Sequence, residues 1–341
     1  MKNLTAAPAA TGTPQEIPMA TVARSERVAA LVQRHGALAV LALAFLAAGV
    51  AFPSFATFDN LAGIGIQSSF LVIVALGMTF VIISGGIDLS VGSVFALGGV
   101  LAAYASRWGT LPALLLPLAV CGCIGLLNGL LIARTDLAPF IVTLASLLGA
   151  RGLLLALTHE GRDTFLVPRD SSFLEVGRGT LFGIGFPVYL ALLLCALSAL
   201  LLQRTRYGQS VFAVGGSADA AALMGLPVAR IKVATYLVSG LLAGLAGALN
   251  AARLGSGVTI LGAGLELDAI AAVVIGGTLL SGGFGTITGS ILGLLIFTVI
   301  EDLFILNNLE QPIQAIGKGA IIVAVLLFQR FGRTRAVPTL T

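Results

Sequence analysis

Charge is what this sequence has least of: Asp, Glu, Lys and Arg together make up 10% of its 341 residues, against about 25% in ordinary soluble domains. With 57% hydrophobic residues and a mean hydropathy of +1.05, the chain cannot cover itself with a water-compatible surface. Cysteine is also scarce. Cys121, Cys123 and Cys195 all fall inside apolar runs, and such an odd set supplies neither a disulfide framework nor metal-ligand spacing. They read as packing residues. The two histidines, His35 and His159, stand far apart, so no metal cluster and no nucleophile–base set is in view. The net charge of +4 and pI near 9.3 come from short basic clusters beside apolar runs, which argues against a nucleic-acid surface.

What the sequence does have is long apolar runs and 43 glycines. Small residues let transmembrane helices approach closely where no hydrophobic force draws them together. A bilayer core takes about 20 apolar residues, and on that ruler the spans fall at 37–56, 61–84, 90–105, 112–133, 137–157, 185–203, 233–252, 266–280, 286–306 and 315–330. The expected fold is an all-α integral membrane protein of about ten transmembrane helices, with short or broken helices around a central pathway. The first run follows Arg24, Arg27 and Arg34 with no small-residue cleavage site, so it reads as an anchor and not a signal peptide.

Orientation follows from the basic residues. With the N-terminus inside, twelve of them (Lys2, Arg24, Arg27, Arg34, Arg134, Arg204, Arg206, Arg230, Lys232, Arg330, Arg333 and Arg335) face the cytoplasm. Five (Arg107, Arg162, Arg169, Arg178 and Arg253) face outward, and Arg151 and Lys318 remain within spans. The bias predicts cytoplasmic termini. The domain reading is a disordered cytoplasmic tail over 1–34, a membrane domain over 35–331 with an inner loop at 204–232, and a cytoplasmic tail over 332–341. The outer loop 158–184 is rich in charge and reads as a solvated cap.

An internal echo joins S-G-G-I-D-L-S-V-G-S, Ser84 to Ser93, to S-G-G-F-G-T-I-T-G-S, Ser281 to Ser290, with five of ten positions identical. Each joins an inward-running helix to an outward-running one, a repeat style known in transporters, although tight turns select glycine for their own reasons. Gly85, Gly86, Gly282, Gly283 and Gly285 are the expected turn residues. Asp88 and Ser90 either line a pathway or cap the helix that starts near Val91, and the two roles are compatible. Asn128 is a further pathway candidate. Glu266 and Asp268 sit at a helix start, where the dipole favours acids. Glu301 and Asp302 sit about 15 residues into their helix, roughly 22 Å along it, where charge has to face protein, water or a substrate path. Arg151 is an equally costly charge that suits a carboxylate partner.

The inner loop carries A-D-A-A-A-L-M-G-L-P, Ala218 to Pro227: a short helix, a left-handed stop at Gly225 and a block to continuation at Pro227. With Asp219, Ala221, Ala222 and Met224, it resembles the coupling loop by which importer permeases dock on their ATPases, with Ala220 where a Glu is usual. Gly77 to Ser93, Glu266 to Thr286 and Pro139 to Gly152 are similar to the ribose, xylose and galactofuranose permease family of ATP-binding-cassette importers, closest in wording to the galactofuranose type. The resemblance spans about Phe58 to Arg330.

It implies a monosaccharide permease of the bacterial inner membrane that works with a cytoplasmic ATPase, a second permease copy or paralogue and a periplasmic sugar-binding protein. ATP and magnesium would sit on the ATPase, and this chain would bind no cofactor. Consistently, no G-x-x-x-x-G-K-[ST] is present, and Gly317-Lys318 has Pro312 where the first Gly belongs.

Overall fold

The computed structural model describes residues 38–135 and 137–334; the 1–34 tail and residues 335–341 lie outside the described residues. Helices fall on every segment that the hydropathy ruler marks, with ends shifted by a few residues. In chain order they are α1 (Leu38–Ala51), α2 (Phe58–Ile83), α3 (Val91–Ala105), α4 (Thr110–Arg134), α5 (Pro139–Leu157), α6 (Phe173–Arg178) and α7 (Phe186–Arg204). There follow α8 (Arg206–Gly216), α9 (Ala218–Leu223), α10 (Val228–Leu254), α11 (Leu265–Ile275), α12 (Ile287–Leu306) and α13 (Gln311–Thr334). Among the described residues, six helices are long and apolar enough to cross a membrane: α2, α4, α5, α7, α10 and α12. The chain is a multi-pass, helical membrane protein.

Local chemistry sets the helix ends. Thr57, Thr205, Ser217 and Thr286 each accept a backbone N–H from the first turn of the helix they precede, which satisfies a donor the helix leaves free. Pro139 and Pro187 sit at helix starts, where their missing N–H costs nothing. Gly255 closes α10 at φ +77°, a conformation glycine adopts without strain.

α2 and α10 form the centre. α2 is buried without a break from Ser68 to Ile83, and α10 packs on α2, α3 and α4. The α10 contacts are backbone to backbone: a Cβ added at Gly98 would lie 2.9 Å from the Gly244 Cα, and one at Gly125 would lie 3.1 Å from the Gly240 Cα. Glycine on both sides brings the helices closer than side chains permit, as membrane interfaces require.

The loop expected to be a plain cap carries structure. β1 (Phe165–Leu166) pairs antiparallel with β4 (Ser256–Gly257), and β2 (Thr180–Leu181) with β3 (Ile184–Gly185). The second pair is a hairpin turned by Phe182 and Gly183, both at positive φ, as two-residue hairpins demand. α6 buries Phe173 and packs on α10, and Arg178 Nε donates to the Arg253 carbonyl at 2.8 Å.

Candidate functional site

The turn between α2 and α3 holds Asp88, whose side chain is enclosed. Its Oδ1 accepts from the Ser90 amide at 3.0 Å and the Ser90 hydroxyl at 2.6 Å, and its Oδ2 accepts from the Ser239 hydroxyl of α10 at 2.8 Å. Ser90 Oγ in turn accepts from Asn128 Nδ2 of α4 at 3.1 Å, and Asn128 Oδ1 accepts from the Ser146 hydroxyl of α5. Thr143 and Tyr236 both donate to the Ile87 carbonyl at 3.3 Å. One polar chain thus ties α4, α5 and α10 to the start of α3.

The structure brings Asp88, Ser90 and Asn128 together, and it changes the capping reading. Ser90 is the residue before α3 but makes no side-chain cap; its hydroxyl turns back to Asp88 instead. The physical reason is that the carboxylate needs donors more than the helix needs an acceptor.

The two echoing turns touch. Gly283 N donates to the Ile83 carbonyl at 2.9 Å. Gly85, Gly282 and Gly283 hold φ near +83°, +81° and +73°, and a Cβ on Gly282 would lie 2.8 Å from the Gly85 Cα. Gly86 and Gly285 are small for lack of space: a Cβ on the first would press on Tyr236, and one on the second would lie 2.7 Å from Thr278 Oγ1. Thr79 of α2 donates to Ser290 of α12 at 2.9 Å. Gly215, near the end of α8, backs onto both turns.

The remaining charged candidates separate into three places. Lys318 of α13 pairs with Asp268 of α11 at 3.1 Å and with Glu301 of α12, all three side chains about one-fifth exposed, and its ammonium lies 5.4 Å from the Phe297 ring centroid. Asp302 accepts from Asn60 Nδ2 of α2 at 3.2 Å. Glu266 lies against Gly92 of α3, where any side chain would collide with its Oε2. Arg151 donates to the carbonyls of Thr259 and Leu261, strapping the segment after α10, and its charge acts on Glu266, a carboxylate partner of the kind expected.

α9 forms the expected short helix. Ser217 caps it and Gly225 ends it at φ +82° with nothing within 4 Å of an added Cβ. Its tip is bare: Leu223 is 91% exposed and Met224 71%, and Asp219, Ala222, Gly225 and Pro227 are exposed as well. Ala221 corrects the sequence reading, since it is fully buried and faces the body of the chain. A six-residue helix lying on a surface has one face in, and a methyl group permits that close seat.

Residues 60–328 match the family described as "Branched-chain amino acid transport system / permease component". The chain belongs to this permease family. Among its relatives, the L-arabinose ABC transporter permease protein AraH of Azospirillum brasilense is 34% identical over 89% of this chain and 90% of the relative. The L-arabinose transport system permease protein AraH of Escherichia coli K12 is 36% identical over 87% and 90%. The ribose import permease protein RbsC of Bacillus subtilis 168 is 38% identical over 88% and 94%. No solved structure matches the chain.

Several residues of the permease's polar sites escape a reading of the sequence. Ser239, Ser146 and Thr143 are lone hydroxyls in apolar runs, and their signal is only that such a group needs a buried acceptor. Leu223 looks like any helix-forming leucine until its exposure is known. Lys318 stands out as an in-span charge, but its two partners come from helices that only tertiary packing brings together.

Proposed function

We propose that this chain is the membrane subunit of an ATP-binding-cassette importer of the bacterial inner membrane and moves a pentose, or a hexose in furanose form. A separate cytoplasmic subunit binds magnesium and hydrolyses ATP, a periplasmic protein delivers the sugar, and two permease chains, identical or paralogous, flank the path. Helices α1, α3, α11 and α13 count as crossings beside the six long apolar ones, giving ten spans with both termini in the cytoplasm. The observation that carries the reading is the α9 tip: Leu223 and Met224 stand out from a capped, glycine-ended knob. Such apolar exposure marks a contact surface. The positive-inside bias puts it on the side where an ATPase docks.

The sugar assignment rests on the relatives, whose names specify arabinose and ribose. We assign Glu266, Asp268, Glu301 and Asp302, all partly exposed, to the border of the sugar path. Asp88, Ser90 and Asn128 form its enclosed support. The test is uptake of labelled pentoses and hexoses, by ring form, in cells with and without the chain. Loss of pentose or furanose uptake on deletion is the expected result. Unchanged uptake of every sugar, with loss of branched-chain amino acid uptake, would overturn the assignment.

A further inference from the structure

We propose that Gly215 is the positioning residue that ties the α9 knob to both echoing turns, so that a push on α9 moves the 84–90 and 276–286 turns as one body. The inference rests on the reading of α9 as the ATPase-docking element.

The link from knob to junction is short. Only Ser217 separates α8 from α9; its amide donates to the Ala213 carbonyl at 3.1 Å, and its hydroxyl accepts from Ala220 N at 3.2 Å. One residue bound at both ends leaves no slack. At Gly215 the contact is bare backbone: an added Cβ would lie 2.6 Å from Gly283 N and would overlap the Ile83 carbonyl. A Cβ on Gly282 would lie 2.7 Å from the Gly215 carbonyl oxygen, and one on Gly85 would lie 3.7 Å from the Gly215 Cα. The Gly283 N–H donated to Ile83 closes the triangle. Side chains can yield by changing rotamer, but backbone in van der Waals contact transmits displacement directly. From this point the first turn reaches α3 and α10 through Asp88 and Ser239, and the second reaches the end of α11 and the start of α12.

The neighbouring residue supplies the control. Gly216 is in the same helix, is exposed, and has nothing within 4 Å of an added Cβ. Alanine is intrinsically better than glycine in a helix, so Gly216→Ala is expected to behave as wild type. Gly215→Ala should keep its membrane level and its detergent-stable complex with the ATPase, because the α9 tip is unchanged. It should retain basal hydrolysis, yet lose ATP-driven uptake of labelled L-arabinose or D-ribose in proteoliposomes by about tenfold or more.

Wild-type uptake by Gly215→Ala would overturn the proposal. Failure of the wild-type chain to bind the ATPase through α9 would instead overturn the docking reading, and the junction with it. Hydrogen exchange on the wild-type complex decides the matter if Gly215→Ala does not fold. The Gly283 amide should stay protected in both nucleotide-free and nucleotide-trapped states, and rapid exchange in either would show that the junction opens and does not transmit.

Discussion

Ser239 donates its hydroxyl to Asp88 Oδ2 at 2.8 Å across 151 residues of sequence. With Ser90 on the other oxygen, this bond leaves a fully enclosed carboxylate satisfied by hydroxyls and an amide, and no cation lies within ion-pair distance among the described residues. Removing the acceptor strands its donors, at about 1–3 kcal/mol for each buried group left unpaired. Asp88→Ala is therefore expected to lower the thermal midpoint of the purified protein clearly. Asp88→Asn keeps the shape and an acceptor oxygen and should lose much less. Little or no loss for Asp88→Ala would show that the network contributes little.

Lys318 serves two carboxylates at once. Lys318→Met leaves Asp268 and Glu301 facing one another, and because the side chains are about one-fifth exposed the cost should fall below the roughly 3–5 kcal/mol of a fully buried broken pair. Adding Glu301→Gln to Lys318→Met should restore part of the lost stability, which a double-mutant cycle on thermal unfolding would read. Strict additivity of the two changes would mean that the pair carries no coupling.

Thr278 is fully buried beside Gly285, and its hydroxyl has no hydrogen-bond partner among the described residues. A methyl group of the same shape removes that unmet need, so Thr278→Val is expected to raise stability by about 1 kcal/mol or more. A fall in the unfolding temperature would show that the hydroxyl is bonded in solution.

At Gly225 space is open but the backbone is not free to change, since φ is +82°. A β-branched residue strains there. Gly225→Val should insert normally and weaken ATPase docking by misdirecting the tip. Leu223→Glu, which alters surface chemistry without strain, should weaken it also. Pull-down of the ATPase from detergent measures both, and wild-type recovery with both variants would place docking elsewhere.

The parts legible in the sequence are those set by local chemistry. Apolar runs gave the helices, Ser217, Gly225 and Pro227 gave the α9 knob, and the paired S-G-G phrases gave two glycine turns. What escaped is what depends on helices meeting. The sequence could not tell that the two turns touch, that Gly215 backs both, or that Ser239 is the hydroxyl that answers Asp88, because α10 offers no local mark to separate it from other small residues. Ala221 was misdirected for a related reason: a helix of six residues is too short for its buried face to be read from periodicity. Arg151 reads as a partner for some carboxylate, and its charge does act on Glu266; its hydrogen bonds to the Thr259 and Leu261 carbonyls depend on packing that the sequence does not mark.

On the proposed function, sugar crosses this permease only when a separate ATPase turns over on its α9 face. The most direct measurement is accumulation of labelled L-arabinose or D-ribose in proteoliposomes holding the chain with its ATPase, binding protein and ATP. Uptake should require every component, stop when the ATPase is omitted, and be accompanied by no hydrolysis from the purified chain alone. Accumulation without the ATPase, driven by a proton or sodium gradient, would make the chain a secondary transporter and overturn the proposed function.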